Sequence, residues 1–337
     1  MDQRSKAVYK DHEEDILAAV LKYFSIEKSD LKRLGSFESF VYEFERNNQD
    51  YILKITHSLH RDENQIMGEL DWTNYLSDNG ISVARPIQSV NNKWVERVDV
   101  DDSYFLIYAF EKVNGHHIGE DDWDDSLIIK WGKITGRMHA LTKIYKPTRP
   151  EFKRIDVFND GFYNWRNIDL EKYKFPEVLK RCHEVIDDMK QLPKDDNSFG
   201  LIHTDLHSWN FYVNNRDMTI FDFDDCAYNW FAHDIAIPLF YELQSNRFEP
   251  RDAAFARRFF RNFMEGYSSE NQIDTDWLSH IPLFMKMREI DCFLILVSEN
   301  AEDENDWCRK FMAGRREKIE NDVPVVDIDF TEFDEGV

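Results

Sequence analysis

The apolar pattern of this chain changes period part-way along, and that change limits the possible folds more than any other feature. Residues 13–24 set Ile16, Leu17, Val20, Leu21 and Phe24 on one helical face. The pattern then alternates over 40–44 and again over 51–55. Asn47, Asn48, Gln49 and Asp50 supply turn chemistry between the two, which predicts a β-hairpin. A helix is expected over 62–76, ended by Asp78-Asn79-Gly80. Further strands are expected over 87–90, 94–98 and 104–110. Beyond Gly115 the stretches 127–141, 175–189, 253–267 and 281–297 carry helical spacing, and only short strands fall between them, at 199–203, 211–213 and 219–221. The expectation is an α+β chain with a small β-rich part over 1–110 and a larger, mainly helical part over 111–322. An acidic end follows at 323–337, without a lysine or arginine, and is expected to be mobile or loosely docked. Such a bilobed arrangement places a ligand in the cleft between the two parts.

The densest chemistry lies at 201–225. An apolar strand ends at His203, a polar loop carries Asp205 and Asn210, a hairpin follows, and Asp222, Asp224 and Asp225 close the segment. Phosphoryl transfer needs a carboxylate to orient an attacking hydroxyl and take its proton. It also needs oxygen ligands that hold Mg2+ against nucleotide phosphates. One Asp, an Asn five residues on and a second Asp across a hairpin supply those parts. Upstream, Lys54 interrupts an apolar strand between Leu53 and Ile55, where a cation could reach phosphates or simply face water on an edge strand. The same histidines and acids can also be drawn as a metallohydrolase cluster of His203, Asp205, His207, Asp222 and Asp224, a reading that leaves Lys54 unexplained.

With those residues in view, the chain resembles the aminoglycoside phosphotransferase, choline kinase and homoserine-kinase-like superfamily, which has the protein-kinase-like fold. The resemblance runs from about Leu34 to the helices after Asp234 and is densest over 201–236. It implies that Asp205 is the catalytic base, that Asn210 and Asp222 are Mg2+ ligands, and that Asp234 opens a helix and braces the catalytic loop. It implies further that Lys54 meets the α- and β-phosphates of ATP. A helix carboxylate would pair with that lysine; Glu69 matches the family position, with Glu63 the competitor. The phosphate loop falls on the turn expected at 34–39. There Gly35 and Ser36 are the candidate contacts, and a single glycine replaces the usual glycine-rich run. Adenine is expected against the backbone near 109–112.

Two features narrow the subclass. Only twelve positions separate Asp222 from Asp234, too few for a long regulated activation segment. Phe223 is followed by Asp224, where regulated protein kinases carry glycine. Both favour a small-molecule kinase, with a protein Ser/Thr kinase of the same superfamily or an inactive kinase-like binding protein as alternatives. The chain has 42 basic and 65 acidic residues, a formal charge of −23, which argues against a nucleic-acid partner and draws cations to an acidic cleft. The expected acceptor is therefore a small hydroxyl compound bearing an amine. Arg166, in an aromatic stretch that could cover the pocket, would suit an acidic acceptor instead. Four widely spaced cysteines, no signal-like start and no run of about 18 apolar residues predict a cytoplasmic protein without a membrane partner. The oligomeric state is left open.

Overall fold

The computed structural model describes residues 3–36, 39–158, 175–245 and 247–336. The chain divides into two compact units. The first comprises Met1–Asn114, Lys146–Arg154 and Thr219–Asp224; the second comprises Gly115–Tyr145, Ile155–Met218 and Asp225–Val337. Among the described residues no helix is long and apolar enough to cross a membrane.

In the first unit, helix α1 (Gln3–Phe24) precedes β1 (Leu31–Ser36), β2 (Phe40–Arg46), β3 (Gln49–His57), α2 (Glu63–Asp78), β4 (Pro86–Ile87), β5 (Glu96–Val100) and β6 (Ser103–Glu111). The strands form one sheet in the order β1-β2-β3-β6-β4, with β5 also paired to β6. Asn47 and Asn48, both left-handed, close the β2–β3 hairpin as a two-residue turn, with Arg46 opposite Gln49. The two-residue period of the strands sorts side chains by face. Leu53, Ile55, Phe105 and Ile107 pack with Ile16, Val20 and Phe24 of α1, whereas Leu106, Tyr108 and Phe110 pack with Ile66 and Leu70 of α2. Lys54 pairs across the sheet with Tyr108 and so shares the α2 face.

Residues 219–224 join this unit through backbone bonds: Ala84 N donates to Ile220 O at 2.8 Å, and Ile220 N donates to Ser82 O at 2.9 Å. The turn expected at 34–39 is shorter than its sequence suggests. Gly35 and Ser36 pair with Val41 and Phe40 across a bulge, so β1 runs on through Ser36.

The second unit holds α3 (Asp125–Thr142), α4 (Pro176–Gln191), β7 (Phe199–Ile202), β8 (Phe211–Asn214), the start of β9 (Asp217–Ile220), β10 (Ala227–Trp230), α5 (Phe231–Leu243), α6 (Ala253–Ser268), α7 (Ile281–Glu299), α8 (Asp306–Met312) and α9 (Arg315–Glu320). Strands β7 and β10 pair antiparallel, Ile202 opposite Ala227. Helices α3 and α6 approach so closely that a Cβ on Gly132 would lie 1.8 Å from Phe263 O. Several acids that suggested an acidic cleft are structural. Asp124 caps α3 through Leu127 N at 3.0 Å, Asp195 accepts from Asn197 N at 2.8 Å, and Glu289 is buried between Lys286 and Arg315. The acidic end is docked rather than loose: Phe330 and Phe333 are buried, both rings against Phe260.

Candidate active site

The sequence-predicted residues fall into two groups, one in each unit. In the first unit, Lys54 Nζ donates to Asp222 Oδ1 at 2.7 Å and makes a second, shorter bond to Asp224 Oδ1. Burial alone would lower the lysine's pKa; the two carboxylates more than offset it and hold the ammonium charged, well above its usual range. Burial likewise opposes ionisation of Asp224, but Lys54 and Arg61 keep that carboxyl well below its usual range. Asp224, which sequence alone leaves between metal contact and solvent, is buried on the lysine, and its backbone oxygen accepts from Arg154 Nη2 at 2.6 Å. Asp222 stands at a left-handed φ of 67°, a conformation that aspartate tolerates better than most residues.

Glu69 lies on α2, fully buried, and neither carboxylate oxygen has a hydrogen-bond partner among the described residues. The expected Lys54–Glu69 bond is therefore not made, because the ammonium is taken up by Asp222 and Asp224. Burial, with the charge of Asp224 behind it, pushes the Glu69 carboxyl up to about 8, although Lys54, Arg154 and Arg61 pull the other way. Glu63, the competitor, opens α2 one residue after its cap, Asp62. At Gly35 an added Cβ would meet nothing within 4 Å, so no close approach there demands glycine. Ser36 ends β1, and the next two residues of the expected phosphate loop lie outside the described residues.

In the second unit, Asp205 follows β7 on a loop whose backbone is tightly held. Thr204 has φ of 69°, a left-handed conformation that a β-branched residue rarely adopts. Asp234, in the first turn of α5, accepts from His203 N at 2.9 Å and Thr204 N at 2.7 Å. This is the brace that the resemblance implies. Behind it, burial keeps His139 neutral; its Nε2 lies 3.3 Å from Asp234 and its Nδ1 2.9 Å from Tyr267 Oη, which accepts from Asn271 at 2.7 Å. Asn210 Nδ2 donates to Asp205 O at 2.8 Å and lies 3.3 Å from Oδ2, so its amide oxygen is the atom suited to a metal. His207 is not arranged as a ligand: its Nδ1 accepts from Trp209 N at 3.1 Å, which turns Nε2 toward Asp205 Oδ2 at 3.3 Å.

Sequence reasoning missed Arg288. Its guanidinium, on α7, bonds Asp205 Oδ1 directly. Burial alone would raise the Asp205 pKa; Arg288, with His207 behind it, holds the carboxyl well below its usual range. The available signal was a cluster of charges (Lys286, Arg288, Glu289 and Asp291) inside an otherwise apolar helix. Of the aromatics near the loop, Trp230 and Phe231 are core, while Trp209 is half exposed with the Arg247 guanidinium 5.0 Å from its ring centre. Arg166 lies outside the described residues.

Comparison with known proteins shows the family. Residues 30–271 match the phosphotransferase enzyme family, and the chain belongs to it. It is a kinase with the protein-kinase-like α+β fold, a small-molecule phosphotransferase. The chain is 38% identical to amicoumacin kinase of Bacillus subtilis (strain 168) over 341 residues, spanning 96% of this chain and 98% of that protein. An amicoumacin kinase solved in complex with AMP-PNP, Ca2+ and Ami matches at a TM-score of 0.90 and 33% identity, over 98% of this chain and 99% of that one. A microcompartment-associated aminopropanol kinase shares the fold at a TM-score of 0.70 and 19% identity, over 91% of this chain and 98% of that one.

Proposed function

We propose that this protein transfers the γ-phosphoryl group of ATP to a hydroxyl of an amine-bearing small molecule, with amicoumacin the first acceptor to test. The observation that carries the reading is Asp205, a loop carboxylate kept ionised beside an asparagine that can serve a metal. Asp205 orients the acceptor hydroxyl. As the oxygen bonds to the γ-phosphorus, the bond to the bridging oxygen breaks, ADP leaves, and the hydroxyl proton passes to Asp205. Lys54 contacts the α- and β-phosphates, and the backbone of Gly35 and Ser36 approaches the phosphate oxygens.

Among the described residues no three His, Cys, Asp or Glu side chains are grouped to hold a metal. The donors present, a half-exposed carboxylate and an amide oxygen, fit Mg2+, which takes one or two protein oxygens and completes its shell with phosphate and water. Asp222 in the first unit and the amide oxygen of Asn210 in the second are each donors suited to it; when bound, Mg2+ would neutralise charge developing on the phosphates. The amine preference is supported by the −23 charge, which favours cations near the protein. The four cysteines are buried thiols, which suits a cytoplasmic enzyme.

The test supplies ATP and Mg2+ with amicoumacin, spectinomycin, aminopropanol and choline in separate reactions, and a serine-rich protein in another. ADP release and the mass of the acceptor are read in each. Phosphorylation of an amine-bearing small molecule is expected, and D205N should lower kcat by roughly 10²–10⁴-fold while ATP still binds. Transfer only to protein serines, or wild-type turnover in D205N, would overturn the reading.

A further inference from the structure

We infer that Arg288 is the positioning residue of the transfer step, a fork that fixes Asp205 through one carboxylate oxygen and leaves the other for the acceptor hydroxyl. The inference rests on the role proposed above for Asp205.

The geometry is specific to a guanidinium. One nitrogen, Nη2, bonds Asp205 Oδ1 and also Tyr241 Oη at 2.6 Å; Nε lies 3.2 Å from the same hydroxyl; Nη1 donates to Asp291 Oδ2 at 3.1 Å. The fork therefore ties the catalytic loop to α5 and to α7 itself. Its side chain is 14% exposed, and Tyr241 beneath it is packed by the His207 ring, with centres 4.4 Å apart. A lysine offers one compact charge and cannot reach three acceptors in one plane.

This arrangement divides the labour of the two Asp205 oxygens. Oδ1 is committed to Arg288. Among the described residues Oδ2 has only the 3.3 Å contacts to Asn210 and His207, too long to saturate a carboxylate oxygen. The incoming hydroxyl then has one place to donate.

The experiment compares wild type, R288M, R288K, Y241F and D205N with ATP, Mg2+ and the acceptor found by the screen above. R288M is expected to lose about 10²-fold in kcat, the cost of a catalytic group displaced by about an ångström, with KM for ATP little changed. R288K should be only partly active, Y241F should lose several-fold, and methylguanidinium added to R288M should restore part of the turnover. Wild-type kcat in R288M would overturn the inference. So would a loss confined to the KM of the acceptor, which would make Arg288 a binding group. A loss of kcat that tracks a loss of nucleotide binding, with no chemical rescue, would also overturn it by showing a purely structural role. Because D205N is measured alongside, the two ideas fail separately: an active R288M beside an inactive D205N rejects only the fork, and an active D205N rejects the role of Asp205.

Discussion

Replacing Asp234 with asparagine should damage both stability and turnover, for one reason. The fully buried Asp234 carboxylate accepts two consecutive loop amides, His203 N on one oxygen and Thr204 N on the other. Asparagine keeps one acceptor and turns an NH2 group toward the second amide. One charge-assisted bond is lost, worth about 1.5–3 kcal/mol, and a buried N–H is left unpaired at about 1–3 kcal/mol. Removing a buried charge returns some of this, so a net loss of roughly 3 kcal/mol is expected. The effect reaches the chemistry through Thr204. Its left-handed backbone is unfavourable by about 1–2 kcal/mol and is held by Asp234, by His233 Nε2 at 2.9 Å from Thr204 O, and by its own hydroxyl donating to Asp225 O at 2.8 Å. Once the brace is cut, the backbone can relax and move Asp205, next in sequence, by enough to lower kcat about 10²-fold. Thermal unfolding and steady-state kinetics measure the two effects. Adding T204G, which makes the left-handed conformation acceptable, should recover part of the turnover but little of the stability. A D234N variant within about 1 kcal/mol of wild type and with unchanged kcat would refute the reasoning.

Two further changes test other parts of the structure. Asp291 is pushed up to about 6 from an ordinary 3.8, so the folded protein holds a proton there that the unfolded chain releases. The stability this proton gives is present at low pH and lost as pH rises through about 4–6, by at most about 3 kcal/mol. The Tm of D291N minus that of wild type should therefore climb across that window, and a flat difference would contradict the assignment. At the α3–α6 seam, G132A gains about 1 kcal/mol of helix propensity but sets a methyl 1.8 Å from the backbone oxygen of Phe263. Because backbone must move, a net loss of about 2 kcal/mol or more is expected in chemical denaturation, and equal stability would show that the helices part freely.

What the sequence made legible was local. Lys54 is readable because strand alternation puts it among apolar neighbours, and Asp205, Asn210 and Asp222 are readable because one short segment carries all three. Elements buried on every side were harder. The helix Phe231–Leu243 is apolar all round, so it shows no amphipathic period, and its start was legible only through the resemblance at Asp234. The first ten residues of α1 went unread although Tyr9 is buried and stacks on Phe40, because charged neighbours obscure the spacing. Contacts over long separations were not legible at all. Arg288 meets Asp205 across 83 residues, and no periodicity or spacing encodes that meeting. The acidic runs did not say which acids face a ligand: composition counts charges, but capping and buried ion pairs decide that.

The lysine site shows how one added acid changes the local electrostatics. An aspartate at position 224 gives Lys54 two carboxylate partners instead of one, and the two differ in exposure: the Asp222 side chain is 46% exposed, the Asp224 side chain 10%. A cation approaching from solvent would compete first for the exposed carboxylate, because its desolvation is the smaller. Asp224, held by its surroundings and close to Arg61, then keeps the ammonium in place. Burial, with the charge of Asp224 added to it, pushes Glu69 toward its neutral form, since a second acid beside Lys54 must share a cation already spoken for. Glu69 and Asp224 thus compete for one cation, and the hydrogen bonds of Lys54 go to Asp224 and Asp222.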